Sequence, residues 1–409
     1  MSTIRNLADR LALPALGLAL AMLALVPDLI GIGTPGFGVV QIALLVTSAA
    51  LLLSNLVLQI RPVTALGTML RNANVGWKEV VLLSISVLAT GIIVDLLLRW
   101  ILPPSYVATK YGWTARANTL LVKNIEDTTG QFREIAVRYF KNGFKRWGNT
   151  HTRKRKLFVI GDSVTEATQV SNGEEWFSYL ENELSNIELF VYGGGGYGSL
   201  QEYMVLDDYV DSINPDLILW QFCSNDYDNN LYELDRLAYP YNNHAIRPYL
   251  EEDRIVFKLP LPYPTLRKYS FVADRILVAY DGVMWRRATQ DLNAYRRSRT
   301  YLIKIASRQL LQEKSYHVTL KIMKKVKDRV KDIPIYLFNG CRSLTEHEYN
   351  ICSATGIVCI AGISEYVSEK EREGREVTVP NDGHWNKLGN QLAGERLIRY
   401  FRELNIVKK

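Results

Sequence analysis

Hydrophobic and polar positions divide the chain into two unequal parts. Up to about residue 104, Leu, Ala, Val and Ile dominate; beyond it, apolar residues come in short bursts between charged and Tyr-rich stretches. Three long apolar runs fill the first part: Leu11–Ile32, Val39–Ile60 and Val80–Leu102. Each is about 20 residues or longer, enough to cross a bilayer core of roughly 30 Å at 1.5 Å per residue. The second is broken only by Gln41, Asn55, Gln59 and a few hydroxyls. The third carries Asp95 and Arg99, four apart on one helix face, where they can pair while Arg99 snorkels to the membrane edge. Residues 1–104 are therefore predicted to form three transmembrane helices.

The loops set an orientation. Arg5 and Arg10 precede the first run, the first connection around "GTPGFG" has no Lys or Arg, and the second has Arg61, Arg71 and Lys78. Positive charge stays on the cytoplasmic side, so the N-terminus and second loop lie inside. Three spans then put everything after Leu102 outside the cytoplasm. The first run is too long for a cleaved signal peptide and no small-x-small site follows it, so it reads as an uncleaved span.

After Pro103-Pro104, residues 105–155 read as a linker with helical character in "QFREIAVRYFKNGFKRW". From 156 to 409 a second pattern takes over. "LFVI" (157–160), "IELFVY" (187–192), "DLILWQF" (216–222), "IPIYLF" (333–338) and "IVCIAGI" (357–363) are strand-length and rich in branched or aromatic residues. Helix-like segments occupy 174–185, 199–213, 316–331 and 386–404, with Leu388, Leu392, Leu397 and Ile398 at helical spacing. Continuously apolar strands are buried on both faces, as in a parallel sheet between helix layers. The predicted fold is a three-layer α/β/α sandwich with a five-stranded, mostly parallel sheet. An insertion at about 227–315 interrupts it. It contains a hairpin turning at Glu251–Arg254 and an amphipathic helix in "RKYSFVADRILVAYDGVMWRRATQ", and it is a lid candidate.

Composition adds little. The net charge of +7 over 409 residues is too modest to mark a nucleic-acid binder. No Cys/His spacing resembles a zinc site, and nothing calls for a cofactor. The four cysteines allow two readings: a disulfide such as Cys341–Cys352, or buried free thiols.

The chemistry gathers at strand ends. "GDS" follows the first strand and places Ser163 near the start of a helix, where its own N–H lacks an intrahelical partner and the dipole favours negative charge. After the second strand comes "YGGGGYGSLQ", whose glycines let backbone N–H groups approach an anion. After the third comes "CSNDYDNN", in which Asn225 can donate an amide N–H. Near the C-terminus, "NDGHWNKLGN" offers His384 as a base with Asp382 beside it. The set in this order, across residues 156–404, resembles the SGNH/GDSL hydrolases, which have a flavodoxin-like fold. That resemblance implies Ser163 as nucleophile; an oxyanion hole of the Ser163 N–H, the Gly196 N–H and the Asn225 side chain; and His384 as general base with Asp382 as its support. The pattern departs in two places. Cys223 replaces the usual glycine of the third block. The family's Asp-x-x-His spacing falls on Asn381, so either Asp382 or Asn381 supports the histidine.

The expectation is a membrane-anchored, extracytoplasmic serine esterase or O-acyltransferase. Its substrate would be O-acetyl esters of a cell-surface or exported glycan. Two alternatives are a lipid esterase or lysophospholipase, and a non-catalytic assembly factor whose transmembrane helices bind a membrane-protein partner. Trp385 and the tyrosines Tyr227, Tyr232, Tyr239 and Tyr241 fit either substrate stacking or packing. His151, His244, His317 and His347 read as surface or capping residues.

Overall fold

The computed structural model describes residues 106–126, 131–237, 245–260, 299–380 and 382–404, with part of 82–97 and 270–283. It divides into two units, Met1–Pro104 with Pro262–Arg287, and Ser105–Leu261 with Ala288–Lys409. In the first unit, the described residues between Leu82 and Leu97 are helical and expose Leu82, Ile85, Ile92, Ile93, Leu96 and Leu97. Asp95 accepts a hydrogen bond from the Ser270 hydroxyl at 3.0 Å. Residues 262–287, read from sequence as part of the hydrolase insertion, thus group with the N-terminal apolar segment instead. The first two predicted spans, and Arg99, lie outside the described residues. Among the described residues no helix is long and apolar enough to cross a membrane.

The second unit opens with two antiparallel hairpins: β1 (Tyr106–Thr109) with β2 (Gly112–Ala115), and β3 (Leu120–Glu126) with β4 (Phe132–Arg138). A two-residue β5 (Arg146–Trp147) follows. The stretch predicted as a partly helical linker is therefore β-structure. Within it Ile135, Val137 and Tyr139 are buried at alternate positions, the period of a strand. The basic residues around them imitate a helical polar face when the window is read alone.

The sandwich is then built in order: β6 (Arg155–Gly161), α1 (Ser163–Glu166), α2 (Trp176–Glu183), β7 (Ile187–Gly193), α3 (Ser199–Ile213) and β8 (Leu217–Phe222). The insertion supplies α4 (Asn225–Asn230), α5 (Tyr232–Leu237), the hairpin β9 (Arg247–Glu251) with β10 (Arg254–Lys258), and the long α6 (Arg299–Val330). The hairpin turns at the predicted place, with Glu252 and Asp253 both at positive φ. Helix α6 begins at Arg299 rather than near 316, since no Gly or Pro interrupts the sequence between. The chain closes with β11 (Ile335–Asn339), α7 (Glu346–Thr355), β12 (Val358–Cys359), α8 (Ile363–Arg372) and α9 (Lys387–Glu403).

One six-stranded sheet has the order β12-β11-β8-β6-β7-β5. Five strands are parallel, as expected, and β5 adds an antiparallel edge that a two-residue pattern could not announce. β6 is central, with Leu157, Phe158, Val159 and Ile160 all fully buried. Alternation sorts them: Leu157 and Val159 join the core with Trp176, Leu392 and Leu397, while Phe158 and Ile160 join the opposite core with Leu206, Met323 and Val326. Tyr111, Trp113 and Phe144 of the opening segment are buried in that second core. The chain leaves β6 towards β7 on one side and later reaches β8 on the other. The sheet therefore reverses its winding between β6 and β8, and ligands of open α/β sheets bind outside the carboxyl ends at such a point.

Candidate active site

β6 ends at Gly161, and the turn after it is held from the neighbouring strand. The buried Gln221 Oε1 of β8 accepts from Asp162 N at 3.2 Å, Thr165 N at 3.1 Å and Thr165 Oγ1 at 2.8 Å. The Asp162 carboxylate caps α1 by accepting from Val164 N at 3.0 Å. Because Asp162 does the capping, the Ser163 hydroxyl is available for another partner. It lies 2.8 Å from His384 Nε2.

His384 stands on the loop before α9, where its carbonyl accepts from Val379 N at 2.9 Å. Its Nδ1 contacts Asp382 Oδ1, and the other carboxylate oxygen accepts from Gln169 Nε2 at 3.1 Å. Ser163, His384 and Asp382 therefore form one continuous hydrogen-bonded chain. Asn381 lies outside the described residues. Burial opposes charge on the imidazole, but the Asp382 hydrogen bond and charge, with Asp162 and Glu166 further off, outweigh it and raise the His384 pKa above 6.5. The same hydrogen bond, against burial, holds the Asp382 carboxyl below its ordinary range, helped by Gln169.

The glycine block fits against α1. A side chain on Gly193 would collide with the Thr165–Glu166 backbone, so only glycine lets the end of β7 approach α1 this closely. Gly196 adopts φ +69°. Its carbonyl accepts from Arg247 Nη1 at 2.6 Å and Asn229 Nδ2 at 3.3 Å. Arg247 is itself buried, paired with Asp235 at 2.8 Å and stacked over Trp113. On the other side of α1, the Glu166 carboxylate accepts from Tyr106 at 2.8 Å and Tyr139 at 2.7 Å. The opening hairpins thereby brace the nucleophile turn and the glycine loop.

Asn225 begins α4, just past the carboxyl end of β8, the strand beside β6. Asp226 is buried and closes the turn by accepting from Cys223 N at 2.8 Å. Burial pushes its carboxyl well above the ordinary range, with Asp162 adding to the effect. Cys223, at the position of the expected glycine, forms a disulfide with Cys341 at the end of β11, Cα–Cα 5.3 Å. Cys352 pairs with Cys359. Both free thiols and a Cys341–Cys352 bridge are thus excluded. Spacing along the chain suggested the latter, whereas the bridge observed joins the ends of neighbouring parallel strands 118 residues apart.

Sequence reasoning missed Gln221, Gln169, Arg247, Glu166 and Tyr139. Polar residues inside apolar strand or hairpin patterns, Gln221 above all, were the available signal. Trp385 is packed in the core. Tyr232 meets Tyr249 edge to face. Tyr239, Tyr241 and His244 lie outside the described residues. Among the described residues no group of three or more His, Cys, Asp or Glu is arranged to hold a metal ion.

Fold and site together place a Ser–His–Asp chain, the arrangement of serine hydrolases, at the carboxyl edge of a doubly wound sheet. The order of its groups is similar to that of the SGNH/GDSL lipolytic esterases. No protein-family model and no curated protein matches the chain. Among solved structures it is similar to the psychrotrophic esterase EstA from Pseudoalteromonas sp., at 10% identity and TM-score 0.34 over 62% of this chain and 100% of that one. It is likewise similar to a G-D-S-L family lipolytic protein from Veillonella parvula, at 10% identity and TM-score 0.33 over 61% and 98%. An acetyl xylan esterase from Butyrivibrio proteoclasticus is similar at 13% identity and TM-score 0.29, over 68% of each chain.

Proposed function

We propose that the chain is a membrane-anchored, extracytoplasmic serine esterase or O-acyltransferase that works through an acyl-enzyme, with O-acetyl esters of a cell-surface or exported glycan as substrate. The observation that carries the reading is the 2.8 Å contact of His384 Nε2 with Ser163 Oγ, with Asp382 on the other ring nitrogen. Ser163 Oγ attacks the ester carbonyl while His384 Nε2 takes its proton. Asp382 keeps the ring in the tautomer that accepts there and balances the imidazolium. The Ser163 and Gly196 N–H groups and the Asn225 amide receive the oxyanion. Collapse expels the alcohol, which receives the proton from His384. Water or a sugar hydroxyl, activated by the same imidazole, then resolves the acyl-enzyme.

Chromogenic acetyl- and long-acyl-ester turnover by the full chain tests this. Ser163→Ala is expected to lower kcat on the order of 10⁶-fold with the fold intact, and acetyl esters to be preferred. Activity indifferent to that substitution would remove the esterase reading.

The location is supported by the three apolar runs, their flanking charges and the two disulfides, which persist in oxidising compartments. In intact membrane vesicles of known sidedness, an N-terminal tag is expected to be protected from external protease on the face where residues 156–404 are digested. Digestion of both from the same side would overturn the topology.

A further inference from the structure

A cavity of about 410 Å³ opens past the carboxyl ends of β8 and β11, at the low end of the roughly 300–1,000 Å³ typical of small-molecule sites. Ser224 and Tyr227 line it from either side of Asn225 in the chain; Arg308 and Gln312 come from α6, and Arg342 and His347 from beyond β11. Three elements remote in sequence therefore converge at this edge of the sheet. The Cys223–Cys341 disulfide links the residues just before Ser224 and Arg342, joining two of the walls.

The lining is polar but held in place. Arg308 Nη2 donates to Asp228, which also lines the cavity. Arg342 makes a two-pronged contact with the buried Glu348, at 2.8 and 3.1 Å. The His347 ring stacks on Tyr316 with centroids 4.4 Å apart and meets the Tyr227 ring 6.1 Å away. Both guanidinium charges are matched by carboxylates, so the cavity is not built to select an anion. Leu234 is the one aliphatic side chain of the lining, so it is not built for a fatty acyl chain either. Planar guanidinium, amide and carboxylate groups beside an aromatic face suit a neutral, hydroxyl-rich ring, whose O–H groups both donate and accept and whose C–H face packs on an arene.

We propose that this cavity is a carbohydrate subsite that takes a neutral sugar unit from the alcohol side of the ester. Its place in catalysis rests on the esterase reading, whereas its binding of sugar does not. The subsite deepens that reading because it favours a glycan over a lipid as the substrate.

Binding is tested with the full-length Ser163→Ala chain in detergent, on an array of neutral and acidic oligosaccharides with lysophospholipid added as a competitor. Neutral glycans are expected to bind. Tyr227→Ala is expected to weaken them about tenfold, the loss of roughly 1.4 kcal/mol of ring contact. Tyr227→Phe should retain most of the affinity. Gln312→Trp, at an exposed position of α6, fills the cavity without disturbing the core and should abolish binding. The proposal is overturned if no neutral glycan binds, if only acidic glycans bind, if lysophospholipid displaces the sugar, or if binding survives Gln312→Trp. Loss of chromogenic-ester turnover in the wild-type chain would instead remove the esterase reading and leave this binding result standing.

Discussion

The residue that governs the site is the one whose environment decides its protonation. His384 must be neutral to accept a proton from Ser163, and Asp382 raises its pKa above 6.5. kcat/KM is therefore expected to rise with pH on an acid limb whose midpoint lies above 6.5. Asp382→Asn removes the negative charge, leaves the burial of the ring, and so should move that midpoint downward. Its kcat should fall about 10⁴-fold, as when a triad carboxylate loses its charge. An unchanged midpoint would mean that Asp382 does not support the histidine. Spacing left Asn381 and Asp382 of "NDGHW" both in range; the turn through Gly383, at φ +80°, brings Asp382 Oδ1 onto the imidazole. Gln221 gives the complementary case. Its polarity was visible inside "LILWQF", but that its carbonyl gathers three donors from the Ser163 turn follows from β8 lying beside β6.

At the scale of elements, strand ends matter more than strand interiors. Ser163, Gly196 and Asn225 each follow a parallel strand, so the sheet's register aligns them, and Gly161 and Gly193 lie directly opposite each other. The Cys223–Cys341 bridge fixes the third of these ends to β11. Replacing both cysteines by serine removes a constraint across 118 residues of chain. This is expected to cost roughly 2–5 kcal/mol, read as a lower denaturant midpoint, and more than the same change at Cys352 and Cys359, which are 7 apart. kcat should fall with it, because Asn225 lies two residues from Cys223. Equal midpoints for the two double variants would show that the long bridge does not restrain the fold. The opening hairpins show the limit of reading elements one window at a time. Ile135, Val137 and Tyr139 have strand periodicity, yet the charged residues around them also fit a helix, and a hairpin is settled by a partner strand outside the window.

For the whole molecule, the boundary of the hydrolase unit moves from about residue 156 to 105. A chain beginning at 156 loses Tyr111, Trp113 and Phe144 from the second core and exposes the apolar surface they cover. It is expected to be insoluble or to lack a cooperative unfolding transition, measured by circular dichroism, whereas one retaining the native residues from 105 keeps that core. Cooperative folding of the shorter chain would show that the hairpins are dispensable. The sequence by itself determined the α/β class, the five parallel strands and the position of Ser163, Gly196 and Asn225 just past strand ends, because burial on both faces and backbone turns leave local signatures of period and composition. Tertiary structure alone decided which cysteines pair, which residue meets His384, that Gln221 and Arg247 hold the two loops, and that residues 262–287 group with the N-terminal unit. Those outcomes depend on distances between segments far apart along the chain, and such distances are set only when the sheet closes its order and the helices pack on it.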